Sequence, residues 1–205
     1  MTRFIQEKVR VNNPEEKKVR RHGETLDEPA FSLLQGSIFF LGLRGSGKTT
    51  VAREVASRLG VEMVDTDRMV QKRAQKSISQ IVSHSGWQTF RDLEEDILRE
   101  VCSAPGRVVA TGGGIVLRPE NRQLLRSSGA VFYLLADVPL LLQRLQQEED
   151  HGSRPALSQG SMEEELVQAL RQREPLYYEC QDYLLPAENT PQELADLVLQ
   201  TLGLY

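Results

Sequence analysis

Gly42-Leu43-Arg44-Gly45-Ser46-Gly47-Lys48-Thr49-Thr50 is the stretch that decides the fold. The run before it, Ser37-Ile38-Phe39-Phe40-Leu41, is short and apolar, as a buried strand should be. Thr50 to Leu59 after it carries Val51, Val55, Ala56 and Leu59 on one helical stripe. The glycines therefore sit between a strand and a helix, the setting in which this spacing cradles phosphate. Glycine at 42, 45 and 47 lets the backbone take positive φ and approach phosphate oxygens without a Cβ clash. Successive N–H groups can then form an anion nest at a helix N-terminus, where the dipole favours negative charge. Gly45, Ser46, Gly47, Lys48, Thr49 and Thr50 are the expected nucleotide-binding residues. Lys48 would reach the β- and γ-phosphates of a nucleoside triphosphate, and the Thr49 hydroxyl would meet Mg²⁺.

Beyond the loop, strands alternate with helices. The patterns predict strands at 37–41, 62–64, 107–110, 131–135 and 182–185, and helices at about 87–102 and 162–179. The last helix has Thr190 as cap, Pro191 in the first turn and Glu193 to complete a capping box. Alternation of this kind predicts an α/β fold, a parallel sheet with helices on both faces. Residues 1 to about 30 are charged and poor in large apolar side chains, so a flexible N-terminal arm is expected ahead of a single domain over 31–205.

Composition narrows the function classes. The chain has 205 residues and a net charge of −4, with no long basic face, which argues against nucleic acid as the main partner. No apolar stretch is long enough to span a bilayer, and the N-terminus lacks the features of a signal or transit peptide. A cytoplasmic monomer with no membrane partner is the expectation. Cys102 and Cys180 lie in helical segments without metal-like spacing, so reduced thiols are expected.

Four further constellations carry chemistry. Val64-Asp65-Thr66-Asp67 sets two carboxylates at the C-terminal end of the second strand, the edge where open α/β sheets bind ligands. On an extended segment Asp65 and Asp67 face the same side. One could hold a metal-bound water while the other accepts a hydroxyl proton, or Asp67 could merely cap a helix beginning at Arg68. Arg91 has Glu94 at i+3 and Glu95 at i+4, and either can brace its guanidinium for bidentate carboxylate binding. On spacing alone, an exposed helix salt bridge is the favoured reading of that pattern. Gly112-Gly113-Gly114 follows an apolar strand and would offer close approach with free N–H donors. The polar segment from Gln146 to Gly160 interrupts two helices and reads as a mobile lid. It bears Arg154, which could neutralise charge on a transferred phosphoryl group, while Arg144 before it could stack on adenine.

Order and spacing together resemble the shikimate kinase family, from about Ser37 to Tyr205. The resemblance rests on the phosphate loop, Asp65-Thr66-Asp67, Phe90-Arg91 with Glu94, and Gly112-Gly113-Gly114. It continues through Arg154-Pro155 and Arg173 before Pro175-Leu176-Tyr177. It implies a three-layer P-loop kinase fold with five parallel strands in the order 2-3-1-4-5. It implies transfer of the ATP γ-phosphate to the 3-hydroxyl of shikimate, in aromatic amino-acid biosynthesis. By the same resemblance Asp67, Lys48 and Arg154 are catalytic, and Arg144 and Arg154 join the ATP site. Asp67, Arg91, Gly112, Gly113, Gly114 and Arg173 bind substrate, with Glu94 behind Arg91. Mg²⁺ would sit on Thr49 and, through water, Asp65. Two alternatives stay open: a related gluconate-type kinase, and a nucleotide-binding protein without kinase activity. Two departures stand out: the arm is longer than the family's usual start, and the segment from Pro186 to Thr190 lacks the arginine some members place near adenine.

Overall fold

Ser37–Leu41 (β1) is buried at every position, as befits an apolar run flanked by strands on both edges and covered on both faces. Full burial of Ile38, Phe39, Phe40 and Leu41 contributes about 1.5–3 kcal/mol for each side chain. The computed structural model, which describes residues 36–149 and 161–204, places β1 at the centre of a five-stranded sheet. The other strands are Met63–Asp65 (β2), Val108–Ala110 (β3), Gly129–Leu135 (β4) and Tyr183–Pro186 (β5). Their order is β2-β3-β1-β4-β5 and every pairing is parallel, as the resemblance implies. Phe40 pairs with Ala110 on one side and Phe132 on the other, so the loops after β1, β2 and β3 open on one edge.

The helices are Lys48–Leu59 (α1), Thr66–Ala74 (α2), Ile78–Cys102 (α3), Pro119–Ser128 (α4), Val138–Glu149 (α5), Met162–Cys180 (α6) and Pro191–Leu202 (α7). A short 3-10 turn, Ile115–Leu117, leads from the third strand towards α4. Helix α1 packs on α7, α2 on α3, and both α4 and α5 on α6. Thr190 and Glu193 form the expected capping box at the start of α7. Helix α3 is longer than the expected 87–102 because Ser77 and Gln80 cap an additional segment ahead of it. Gly86, at φ 80 and ψ 168, breaks the two segments apart, so the expected start near Trp87 is a true boundary inside a kinked helix. Helix α5 continues to residue 149, into the stretch where the lid was expected to begin. Gln146, Gln147, Glu148 and Glu149 are good helix formers. The remaining lid residues, Arg154 among them, and the N-terminal arm lie outside the described residues. Both cysteines are free thiols, and burial pushes the Cys180 thiol up to about 11.

Candidate active site

The phosphate loop has the geometry its glycines permit. Gly42, Gly45 and Gly47 all have positive φ. Gly47 is the N-cap of α1 and brings no side-chain cap, which leaves the helix N-terminus open to an anion. Lys48 is only 8 % exposed. Its Nζ donates to the Leu43 carbonyl at 2.7 Å and lies 3.5 Å from Ser46 Oγ, so the ammonium is folded back over the loop. Beside it is a cavity of about 500 Å³, lined by Gly45, Gly47, Thr50, Asn189 and Leu194 among others. Arg144 forms one wall of that cavity. Its Nη1 donates to the Ser46 carbonyl at 3.1 Å and the Gly45 carbonyl at 3.4 Å, and its Nη2 donates to the Ala187 carbonyl at 2.7 Å. The residue expected at adenine thus ties the phosphate loop to the segment 186–189. Ala187 and Asn189 of that segment line the same cavity.

The two aspartates after β2 separate. The strand ends at Asp65 and α2 begins at Thr66, so the expected extended geometry with both carboxylates on one side does not form. Asp65, not Asp67, caps the helix: its Oδ1 accepts from the Arg68 N–H at 3.1 Å. Its Oδ2 accepts from Thr49 Oγ1 at 3.0 Å, which joins the second strand to the phosphate loop. Asp67 lies two residues further on, in the first turn of α2, and turns to the glycine turn after β3. A Cβ on Gly112 would fall 2.5 Å from Asp67 Oδ1 and 2.8 Å from Glu94 Oε1. A Cβ on Gly114 would fall 2.3 Å from Arg91 Nη1. At 112 and 114 the ends of these side chains thus occupy the space a Cβ would take. Gly113 leans the other way, its hypothetical Cβ 3.2 Å from the Gly42 carbonyl, so the turn rests on the phosphate loop.

The expectation of free N–H donors in this turn is corrected at Gly112, whose N–H donates to Thr66 Oγ1 at 2.9 Å. Thr66 is fully buried between the two aspartates and was not singled out from sequence. Tyr177 was quoted only as part of a motif, yet its hydroxyl donates to the Gly113 carbonyl. Its spacing four residues after Arg173 on one helix was the available signal.

Burial resolves the choice at Arg91. Glu94 takes the ion pair, with side-chain exposures of 15 % for the arginine and 2 % for the glutamate, so this is not an exposed helix salt bridge. Glu95 pairs instead with Arg99 and Arg118. The Arg91 guanidinium also lies 5.3 Å from the Trp87 ring centre and 5.1 Å from that of Phe90. Burial pushes the Glu94 carboxyl from 4.5 up to about 7, against the pull of Arg91 and, more weakly, Arg173, and with a push from Asp67. Arg91 and Arg173 thus act on the same carboxylate from α3 and α6. Arg173 Nε is buried without a hydrogen-bond partner among the described residues, as is Glu94 Oε1. Such groups cost about 1–3 kcal/mol each when left unmade. The phosphate loop, Asp67, Glu94 and the two arginines accordingly gather at the ends of β1, β2 and β3. Arg154 is the one expected site residue outside the described set.

Comparison with known proteins agrees with this geometry. Residues 44–203 match the sequence model of the family described as Shikimate kinase. Shikimate kinase 2 of Photorhabdus laumondii is 39 % identical over 165 residues, 80 % of this chain and 94 % of that protein. Shikimate kinase of Nitratidesulfovibrio vulgaris is 45 % identical over 143 residues, 70 % of this chain and 82 % of that protein. Among solved structures, shikimate kinase from Acinetobacter baumannii in complex with shikimate superposes with a TM-score of 0.78 at 33 % identity, covering 85 % of this chain and 97 % of that one. A sugar kinase from Janibacter shares the fold, with a TM-score of 0.53 at 18 % identity over 83 % of this chain and 95 % of that one.

Proposed function

The chain belongs to the shikimate kinase family, an ATP-dependent kinase acting on shikimate, and we propose how its own residues divide that work. The phosphate loop and Lys48 hold the β- and γ-phosphates of ATP, with the base in the cavity beside Arg144. Asp67 accepts a hydrogen bond from the 3-hydroxyl of shikimate and takes its proton as the oxygen attacks in line. Arg91 and Arg173 grip the shikimate carboxylate, and the unpartnered Nε of Arg173 is the donor that such an oxygen would satisfy. Glu94 orients Arg91, and the glycine turn at 112–114 forms the floor beneath the ring. Arg154, assigned from sequence alone, adds positive charge towards the transferred group.

The donor set suits Mg²⁺. Thr49 and Asp65 supply a hydroxyl and a carboxylate in mutual contact, and Mg²⁺ bound with nucleotide needs only one or two protein oxygens beside phosphates and water. When bound, the ion neutralises phosphate charge; Thr49 would ligate it directly and Asp65 through water.

One observation carries the reading: Asp67, Glu94 and Arg91 converge on a glycine turn that itself rests against the phosphate loop. Acceptor groups and donor loop are therefore in contact, which favours transfer between bound molecules over hydrolysis. Release of ADP with Mg-ATP tests it: release should depend on shikimate and not on gluconate. Nucleotide binding by folded protein with no release on shikimate would refute it.

A further inference from the structure

Asp65, Thr66 and Asp67 are consecutive at the start of α2, and each side chain meets a different part of the site. Asp65 accepts from Thr49 of the phosphate loop at 3.0 Å and caps the helix through the Arg68 N–H. Asp67 turns to the glycine turn, its Oδ1 standing 2.5 Å from where a Cβ on Gly112 would be. Thr66, between them, is fully buried, and its Oγ1 accepts from the Gly112 N–H at 2.9 Å. Two neighbouring side chains of α2 therefore meet one glycine. Gly112 has no side chain to hold its place. Its carbonyl accepts from the Ile115 N–H at 3.1 Å, a bond internal to the turn, whereas the bond to Thr66 ties the turn to α2.

We propose that the Thr66 hydroxyl is a positioning group for phosphoryl transfer, holding the Gly112 N–H against the first turn of α2 and so setting the gap in which Asp67 meets the acceptor hydroxyl. The inference rests on the reading of Asp67 as the proton acceptor. The chain passes directly from Thr66 to Asp67, so a glycine turn that moves off Thr66 also moves relative to the base. Valine in place of threonine keeps the buried shape but offers no acceptor, and a buried N–H left unmade is unfavourable. The turn relieves this by shifting or by admitting water, and either alters the surroundings of Asp67. Neither Thr66 nor Gly112 lines the nucleotide cavity, so the effect should spare ATP.

The test compares full-length wild type, Thr66→Val, Thr66→Ser, Asp67→Asn and the Thr66→Val, Asp67→Asn double variant by steady-state kinetics, with thermal melts to confirm folding. Thr66→Val should lower kcat by roughly ten- to a hundredfold, up to the scale of a misplacement of about 1 Å in a positioned reaction, with the KM for ATP within about twofold. Thr66→Ser keeps the hydroxyl and should restore kcat to within about threefold of wild type. In the Asp67→Asn background Thr66→Val should have less effect, since coupled residues are not additive. Thr66→Ser and Thr66→Ala differ by the hydroxyl alone and carry the same comparison if the valine variant does not fold. A wild-type kcat in Thr66→Val while Asp67→Asn is slow would overturn the proposal alone. A serine variant as slow as the valine or alanine variant would reduce Thr66 to a packing residue and overturn it too. Unchanged turnover in Asp67→Asn would overturn the reading of Asp67 on which the proposal stands.

Discussion

Gly114→Ala isolates the approach of Arg91 to the glycine turn. Gly114 has φ −102 and ψ 2, a conformation alanine can adopt, so the backbone itself gives no reason for glycine. The reason is contact: a Cβ there would lie 2.3 Å from Nη1, 2.5 Å from Nη2 and 2.6 Å from Cζ of Arg91. Carbon and nitrogen atoms rest near 3.5 Å, so the guanidinium must withdraw by roughly 1 Å. It cannot do so and keep its geometry, because Glu94 grips it and the Trp87 and Phe90 rings flank it. A displacement of that size can cost about a hundredfold in a positioned reaction. Loss of a charge-assisted contact, about 1.5–3 kcal/mol, corresponds to about ten- to a hundredfold. Gly114→Ala should therefore raise the KM for shikimate by about ten- to a hundredfold and leave the KM for ATP within about twofold. A coupled ADP-release assay at saturating ATP, with shikimate varied, measures this. A folded variant with a wild-type shikimate KM would refute Arg91 as a substrate-binding residue held against this turn.

Three further expectations follow from the same geometry. Asp67→Asn should leave nucleotide affinity largely intact and lower kcat by about 10²–10⁴, the range of a general base; unchanged turnover would remove Asp67 from that role. Asp65→Asn should raise the Mg²⁺ concentration needed for half-maximal rate, because Asp65 braces Thr49; an unaltered Mg²⁺ titration would count against this pair as the metal site. Glu94 binds its proton more tightly folded, at about 7, than its ordinary 4.5. The native state therefore holds more protons between those values, and stability falls as pH rises through them, by at most about 3 kcal/mol. Denaturant melts of wild type and Glu94→Gln at pH 5 and pH 7.5 should show that decline in wild type only; equal slopes would refute it.

The legible parts of the molecule are those carried by short-range rules. Apolar β1, positive-φ glycines at 42, 45 and 47, and the box formed by Thr190 and Glu193 are local, and each appears as expected. Local patterns fall short where a partner distant in sequence decides. Both Glu94 and Glu95 stand at helical spacing from Arg91, and only burial beside Gly112 and Asp67 selects Glu94. Asp65 becomes the cap because α2 begins at Thr66, directly after β2 and two residues ahead of the expected Arg68, which places Asp67 inside the helix. The hydroxyls of Thr66 and Tyr177 meet glycine backbone atoms 46 and 64 residues away, and no local pattern marks such bonds. Helix α3 gains its first segment from a Ser77–Gln80 capping box that was present in the sequence and not used.

The central claim is that one acceptor molecule lies between Asp67 and two arginines, facing the phosphate loop. A crystal structure of the chain with ADP, Mg²⁺ and shikimate measures this directly. It should show Arg91 and Arg173 both within hydrogen-bonding distance of the shikimate carboxylate, and a ring hydroxyl on Asp67 pointing at the β-phosphate end of ADP. A carboxylate bound away from either arginine, or a ring with no hydroxyl at Asp67, would contradict it.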